Sequence, residues 1–168
     1  MPAEDAIFRN SMRLLASGVT IVASVFEGRR SGLTATAVCS LALSPPRILA
    51  SINMQGHTYG IALKSRCMSV NLLATAHERL AGVFAAKRAA EDTDRFIHGD
   101  WISRTTGAPI LADALAALDC RITEIIPLDT HAILIGEVED ILFGPNRPPL
   151  IHFEAGFTSI LPFPEKPS

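Results

Sequence analysis

The chain has 168 residues, with 15 Lys and Arg against 17 Asp and Glu, and 48% of it is hydrophobic. A chain of this size and apolar content folds as one domain around a real core and is not disordered. It shows no basic stripe for nucleic acid and no apolar run long enough to cross a bilayer, so neither partner is expected. The acidic start at Glu4 and Asp5 lacks the basic-then-apolar order of a secretory signal. Cys39, Cys67 and Cys120 are odd in number and widely spaced, as expected of reduced thiols in a cytoplasmic protein.

In chain order, residues 5–17 are expected to be a helix, with Phe8, Met12 and Leu15 on one face and Gly18 just past its end. The β-branched run from Val19 to Phe26 predicts a buried strand, and Glu27-Gly28-Arg29-Arg30 a turn. The residues after this turn are expected to form the second arm of a hairpin. Arg47 to Asn53 predicts a further strand, then a polar loop, then a helix over Tyr59–Lys64 with Thr58 as its N-cap. Free N–H groups at such a helix start can hold a phosphate. A strand is expected over Cys67–Leu73, a helix over Ala76–Arg88, and a polar connection over residues 89–109. Trp101, the only tryptophan, suits a core or an interface. Leu118–Ile126 alternates, with Leu118, Cys120 and Ile122 opposed to Asp119, Arg121 and Thr123. It predicts a half-buried strand that pairs with a long strand over His131–Phe143 through a turn at residues 127–130. Leu150–Phe153 reads as the last strand, and the proline-rich tail after Leu161 as loose. Many hairpin-linked strands and few helices make a mainly β chain, a small antiparallel barrel.

The stretch from Gly32 to Pro46 stands apart. It is Gly32-Leu33-Thr34-Ala35-Thr36-Ala37-Val38-Cys39-Ser40-Leu41-Ala42-Leu43-Ser44-Pro45-Pro46, without a single charge. Small side chains let a ligand approach the backbone, and neighbouring N–H and hydroxyl groups can read its polar edge. The tandem prolines are expected to force an extended exit. The same residues also suit a buried strand pair joined by a bend, chosen for packing. No GxGxxG follows a strand, no P-loop is present, and the histidines do not fall at zinc-site spacings. A site poor in acid–base groups suits a cofactor that carries its own chemistry.

The order of these residues resembles the short-chain flavin reductase family. Gly32-Leu33-Thr34-Ala35-Thr36, Cys39-Ser40 and Pro45-Pro46 carry the resemblance, with Gly18–Val22, Met68-Ser69-Val70-Asn71-Leu72-Leu73 and Val83-Phe84-Ala85. His131 with Ile135-Gly136-Glu137-Val138, and Pro149–Phe153 with Gly156-Phe157, complete it over about residues 8–160.

The resemblance implies an FMN-binding split β-barrel of Greek-key, antiparallel form and a homodimer. It implies hydride transfer from NADH or NADPH to FMN or FAD, with reduced flavin passed to a partner monooxygenase. One branch of the family reduces the cobalt of a corrin precursor, and split barrels also serve as non-catalytic flavin- or heme-binding modules. Cofactor contacts would come from Thr34, Ala35 and Thr36 at the ring edge, with Cys39 and Ser40 along the ring or the ribityl chain. Ser51, Ile52 and Asn53 would flank the ribityl chain and phosphate, His57 and Thr58 would meet the phosphate, and Phe84 and Ala85 would close from a helix. His131 would line the nicotinamide pocket as the catalytic positioning group, with His152 and Phe157 nearby. Where relatives carry Asn, this chain has Thr36, and where they carry Tyr it has His152.

Overall fold

The computed structural model describes residues 3–86 and 92–160. Among the described residues, twelve strands and three α-helices are arranged around one antiparallel sheet of seven strands, in the order β3-β2-β6-β9-β10-β5-β4. Its members are β2 (Thr20–Phe26), β3 (Arg29–Ala35), β4 (Val38–Leu43), β5 (Pro46–Asn53), β6 (Cys67–Leu72), β9 (Ala116–Leu128) and β10 (His131–Phe143).

The connection from β3 to β4 shows that this sheet is rolled. These two strands are the outer edges, six strand spacings apart, which is roughly 28 Å in a flat sheet. Only Thr36 and Ala37 join them, and the three Cα steps from Ala35 to Val38 reach at most about 11 Å. The edges must therefore lie close, and the N–H of Ser51 on β5 donates to the carbonyl of Ala37 at 2.9 Å. Rolling creates an inside, filled by Val22, Ala35, Ile48, Ala50, Ile52, Met68, Val70, Cys120, Ile122 and Leu134. Gly136 belongs to this crowding. A Cβ there would sit 2.6 Å from Met68 Cε and 2.9 Å from Cys120 Cβ, and β10 shifts register against β9 at that residue.

A second core lies outside the barrel wall. Ile21 and Ala23 of β2 pack there with Leu80, Ala81 and Phe84 of α3 (Glu78–Ala85), and with Ile110 and Leu111 of β8 (Pro109–Leu111). The rings of Phe84, Phe96 and Trp101 meet at centroid distances of 5.0–5.4 Å, which places Trp101 against the core. Asn71 joins the two layers. Its amide donates to the Ile21 carbonyl at 3.0 Å, and its oxygen accepts from the Leu111 N–H at 2.8 Å. A third, small sheet, β1 (Ser17–Gly18), β11 (Ile151–Phe153) and β12 (Gly156–Thr158), lies beside the start of β2.

Several expectations need correction. The first helix, α1 (Asp5–Arg13), stops four residues short of Ser17, and Gly18 lies in a strand. None of its residues is buried, and its Phe8, Met12 and the following Leu15 stay exposed. The exit from the tandem prolines is extended, as expected: Pro45 lies in the β4–β5 turn and Pro46 opens β5. The second helix, α2 (His57–Ser65), begins before Thr58 with Gly56 as N-cap, because Thr58 is drawn inward to Ser31. Residues 89–109 are not a bare connection: a 3-10 turn over Asp92–Ile97 and a hairpin of β7 (Trp101–Ser103) with β8 lie across them. A 3-10 turn, Thr75–His77, replaces the first turn of the third helix, which ends at Ala85; Lys87 and Arg88 fall outside the described residues. Asp119 is buried rather than solvent-facing, because its carboxylate accepts from the backbone N–H and the hydroxyl of Thr106. Beyond Phe153 the chain turns back as β12, which sequence patterning missed in its short, exposed run. The tail from Leu161 lies outside the described residues.

Candidate functional site

The turn between β2 and β3 decides which backbone groups of β3 face outward. Glu27 and Gly28 both have positive φ, 49° and 77°, and form a two-residue loop. Such a loop makes the flanking Phe26 and Arg29 a hydrogen-bonded pair, and alternate pairs follow: Ser24 with Ser31, Val22 with Leu33, Thr20 with Ala35. Gly32 and Thr34 fall between them. Their N–H and C=O groups point away from β2, to the open edge at the split of the barrel.

That edge is built into a seam with α3. The Thr34 hydroxyl donates to the Ala81 carbonyl at 2.7 Å. A Cβ on Gly32 would lie 2.9 Å from Phe84 Cε1, so only glycine lets this ring sit on the strand. Phe84 is buried and contributes packing, while Ala85 is exposed beside it. The side chain of Ala35 is buried, and Thr36, Cys39 and Ser40 are exposed on the crossing and the first residues of β4.

Across the split stands the end of β5. Ser51, Ile52 and Asn53 pair with Ile133, Ala132 and His131 of β10. Ser51 and Asn53 face partly or fully to solvent, whereas the Ile52 side chain fills the barrel and leaves only backbone for a ligand. His131 is exposed, opposite Asn53, with its Nδ1 2.8 Å from the Thr130 hydroxyl. Asn53 bonds locally: its Oδ1 accepts the Gln55 N–H at 2.8 Å. His57 opens α2 exposed, while the Thr58 hydroxyl is held at 2.8 Å by Ser31 and is buried. Thr58 thus locks α2 to β3. His57 also lines a cavity of about 440 Å³ with Phe26, Glu27, Arg29, Gly60, Ile61 and Lys64; no other candidate residue lines it, so it is not the split itself.

His152 and Phe157 are register partners in the small sheet, rings 73° apart with centroids at 6.2 Å. Among the described contacts none joins them to His131. The structure therefore assembles two clusters: Thr34 to Ser40 with Ser51 to Asn53 and His131, and, separately, His152 with Phe157.

Ionisable groups are sparse at the split. Buried Cys120 is pushed up to about 12, by burial and then by the nearby Asp119 and Glu139 carboxylates, so it stays a thiol inside the barrel. At the start of α3, burial raises the Asp113 carboxyl, but the bonds and charges of His77 and Arg147 outweigh this and leave it below its ordinary value. Both partners lie at 3.2 Å and tie the loop before Pro148 to the helix. Sequence reasoning missed Ser31, Thr58's inward partner, and Arg95. Neither carries a periodic signal, since an arginine in a polar run reads as solvent-facing.

Among the described residues no group of His, Cys, Asp and Glu could hold a metal ion, and no helix is long and apolar enough to cross a membrane. The rolled antiparallel sheet with an uncharged, backbone-lined split defines a split-barrel protein. Residues 12–161 match the family described as flavin reductase like domain, and the chain belongs to that family. It is 37% identical over 158 residues to the FMN reductase (NADH) RutF of Ancylobacter novellus, covering 94% of this chain and 86% of the relative. A crystal structure assigned as a flavin reductase, from Haemophilus somnus 129PT, superposes with a TM-score of 0.89 at 37% identity, covering 94% of this chain and all of that one. Nitrilotriacetate monooxygenase component B of Mycobacterium thermoresistibile superposes with a TM-score of 0.85 at 25% identity, covering 98% and 93% of the two chains.

Proposed function

We propose that this protein is an NADH-dependent flavin reductase whose FMN lies across the split, between the open edge of β3 and the Ser51–Asn53 end of β5. The observation that carries this reading is the two-residue crossing at Thr36 and Ala37, which brings two strand edges together without charged side chains. A planar ring with a polar edge fits such a place: the N–H and C=O of Thr34 are coplanar with the strand and face outward. FMN and NADH, rather than FAD and NADPH, are supported by the name of the Ancylobacter relative.

Flavin held there would supply the hydride acceptor for NADH, with one solvent proton balancing NAD⁺ and reduced flavin. The chain's part is to bind, orient and exclude. Thr34, Ala35 and Thr36 read the ring edge, the first through backbone groups, because its hydroxyl hydrogen is committed to α3. Cys39 and Ser40 border the ring; Ser51, Asn53 and the backbone of Ile52 border the ribityl chain. His57 and the first N–H groups of α2 face the phosphate, held in place by Thr58, and Ala85 borders the ring beside Phe84. His131 positions the nicotinamide; His152 and Phe157, in the separate small sheet, are the alternative place for it. Reduced flavin passes to a flavin-dependent monooxygenase in the cytoplasm. The protein works as a homodimer, a reading supported by exposed Leu41 and Leu43 on β4 and by the bare apolar residues of α1.

Fluorescence quenching with FMN and FAD, followed by stopped-flow reduction at varied NADH, tests the reading. Saturable micromolar flavin binding and bleaching by NADH are expected. His131→Ala should leave flavin binding nearly unchanged and reduce kcat/KM by about 1–3 kcal/mol of lost positioning. No binding of either flavin would end the proposal; an unaffected variant would move the nicotinamide to His152 and Phe157.

A further inference from the structure

The open edge of β3 has one carbonyl that is tied down by a residue outside the candidate site. Arg95, on the 3-10 turn Asp92–Ile97, is 9% exposed. Its Nη1 donates to the Gly32 carbonyl at 3.2 Å and to the Phe84 carbonyl at 3.2 Å, and its Nη2 to the Ala86 carbonyl at 2.7 Å. One planar fork therefore spans the edge strand and the last turn of α3, where the carbonyls of a helix lack partners within the helix. The neighbouring Phe96 stacks edge-on against Phe84, and Arg30 of β3 lies 4.8 Å over the Phe96 ring.

We infer that Arg95 is a positioning residue for flavin, acting through β3. Gly32 and Thr34 are consecutive outward residues on one strand edge. Fixing the Gly32 carbonyl fixes the height and tilt at which the Thr34 N–H and C=O meet a ring, two residues away. The same guanidinium holds Phe84 and Ala86, and so sets how closely Ala85 approaches. A lysine cannot repeat this: a single ammonium has no planar fork to span three carbonyls on two elements. The inference rests on the flavin reductase reading and adds to it a residue that never touches the flavin.

The test compares parent, Arg95→Lys, Arg95→Ala and a control, Val22→Ala, which loosens the barrel interior without touching Arg95 or the outward groups of β3. Melting temperature, FMN affinity, the visible spectrum of bound FMN, and the rate of its reduction by NADH are measured for each folded variant. Expected for Arg95→Lys is a roughly five- to tenfold weaker FMN affinity, the scale of one lost hydrogen bond. The band shape of the bound flavin should change with it, at a melting temperature no lower than that of Val22→Ala. Val22→Ala should bind FMN like the parent. If Arg95→Ala does not fold, Arg95→Lys alone decides. Parental affinity and spectrum in folded Arg95→Lys would overturn the inference, as would equal losses in the control, which would mark Arg95 as structural only. A parent that binds no flavin would sink the functional reading itself, a separate and earlier outcome.

Discussion

The two edges of the seven-stranded sheet meet the same physical problem and treat it differently. An edge strand exposes unpaired N–H and C=O groups and invites another chain. On β3 the edge is managed within the chain: Arg95 binds the Gly32 carbonyl and the Thr34 hydroxyl bonds to α3. On β4 nothing of the kind occurs among the described residues, and Leu43 is 87% exposed with Leu41 beside it. The covered edge is left with only a few outward groups, at the split, as suits a ligand that needs fixed donors. The bare edge is apolar and suits association. On the proposed reading, flavin meets the β3 edge and the first residues of β4, and assembly is left to the far end of β4.

The largest effect should come from the bare edge. Replacing both Leu41 and Leu43 with Lys should convert the proposed homodimer to monomer while the barrel stays folded, read by analytical ultracentrifugation. An unchanged assembly would place the interface on α1 instead, where Ile7 and Phe8 are as exposed. Next comes the seam of the covered edge. Gly32→Val would drive a side chain into Phe84, at a cost of about 1–3 kcal/mol by overpacking. Both melting temperature and FMN affinity should fall; retained affinity would mean that the edge does not read the flavin.

Thr34→Val is milder, since it removes one hydroxyl bond to Ala81 and keeps the backbone groups. The expected loss is about 0.5–1.5 kcal/mol of stability, with at most a several-fold drop in FMN affinity. A larger loss of affinity than of stability would show that the hydroxyl itself meets the flavin. The smallest effect concerns thiol labelling. Cys39 is exposed, while Cys67 and Cys120 are buried, and Cys120 is held protonated up to about 12. Iodoacetamide at pH 8 should therefore modify one thiol, Cys39, and saturating FMN should slow that modification. Equal rates with and without FMN would remove Cys39 from the ring's border.

The sequence by itself determined most of the strands. The strands read from Leu118–Ile126, from the β-branched run after Val19 and from His131–Phe143 all reappear, the last with both ends unchanged. These are local properties: period-two patterning and turn residues act within a few positions of themselves. The ordered motif also carried the family: Gly32 and Gly136 leave space that a Cβ would fill, and Thr34 and Asn71 make hydrogen bonds that join elements. The roll of the sheet was different. That β3 and β4, two residues apart in sequence, are opposite edges of a seven-stranded sheet depends on pairings across the whole chain. So did the inward turn of Thr58, the burial of Asp119 on a nominally polar face, and the reach of Arg95 to three carbonyls. Each of these polar groups found its partner through distant residues. Local composition marks a side chain as polar, but only packing decides whether its hydrogen bonds go to water or to the fold.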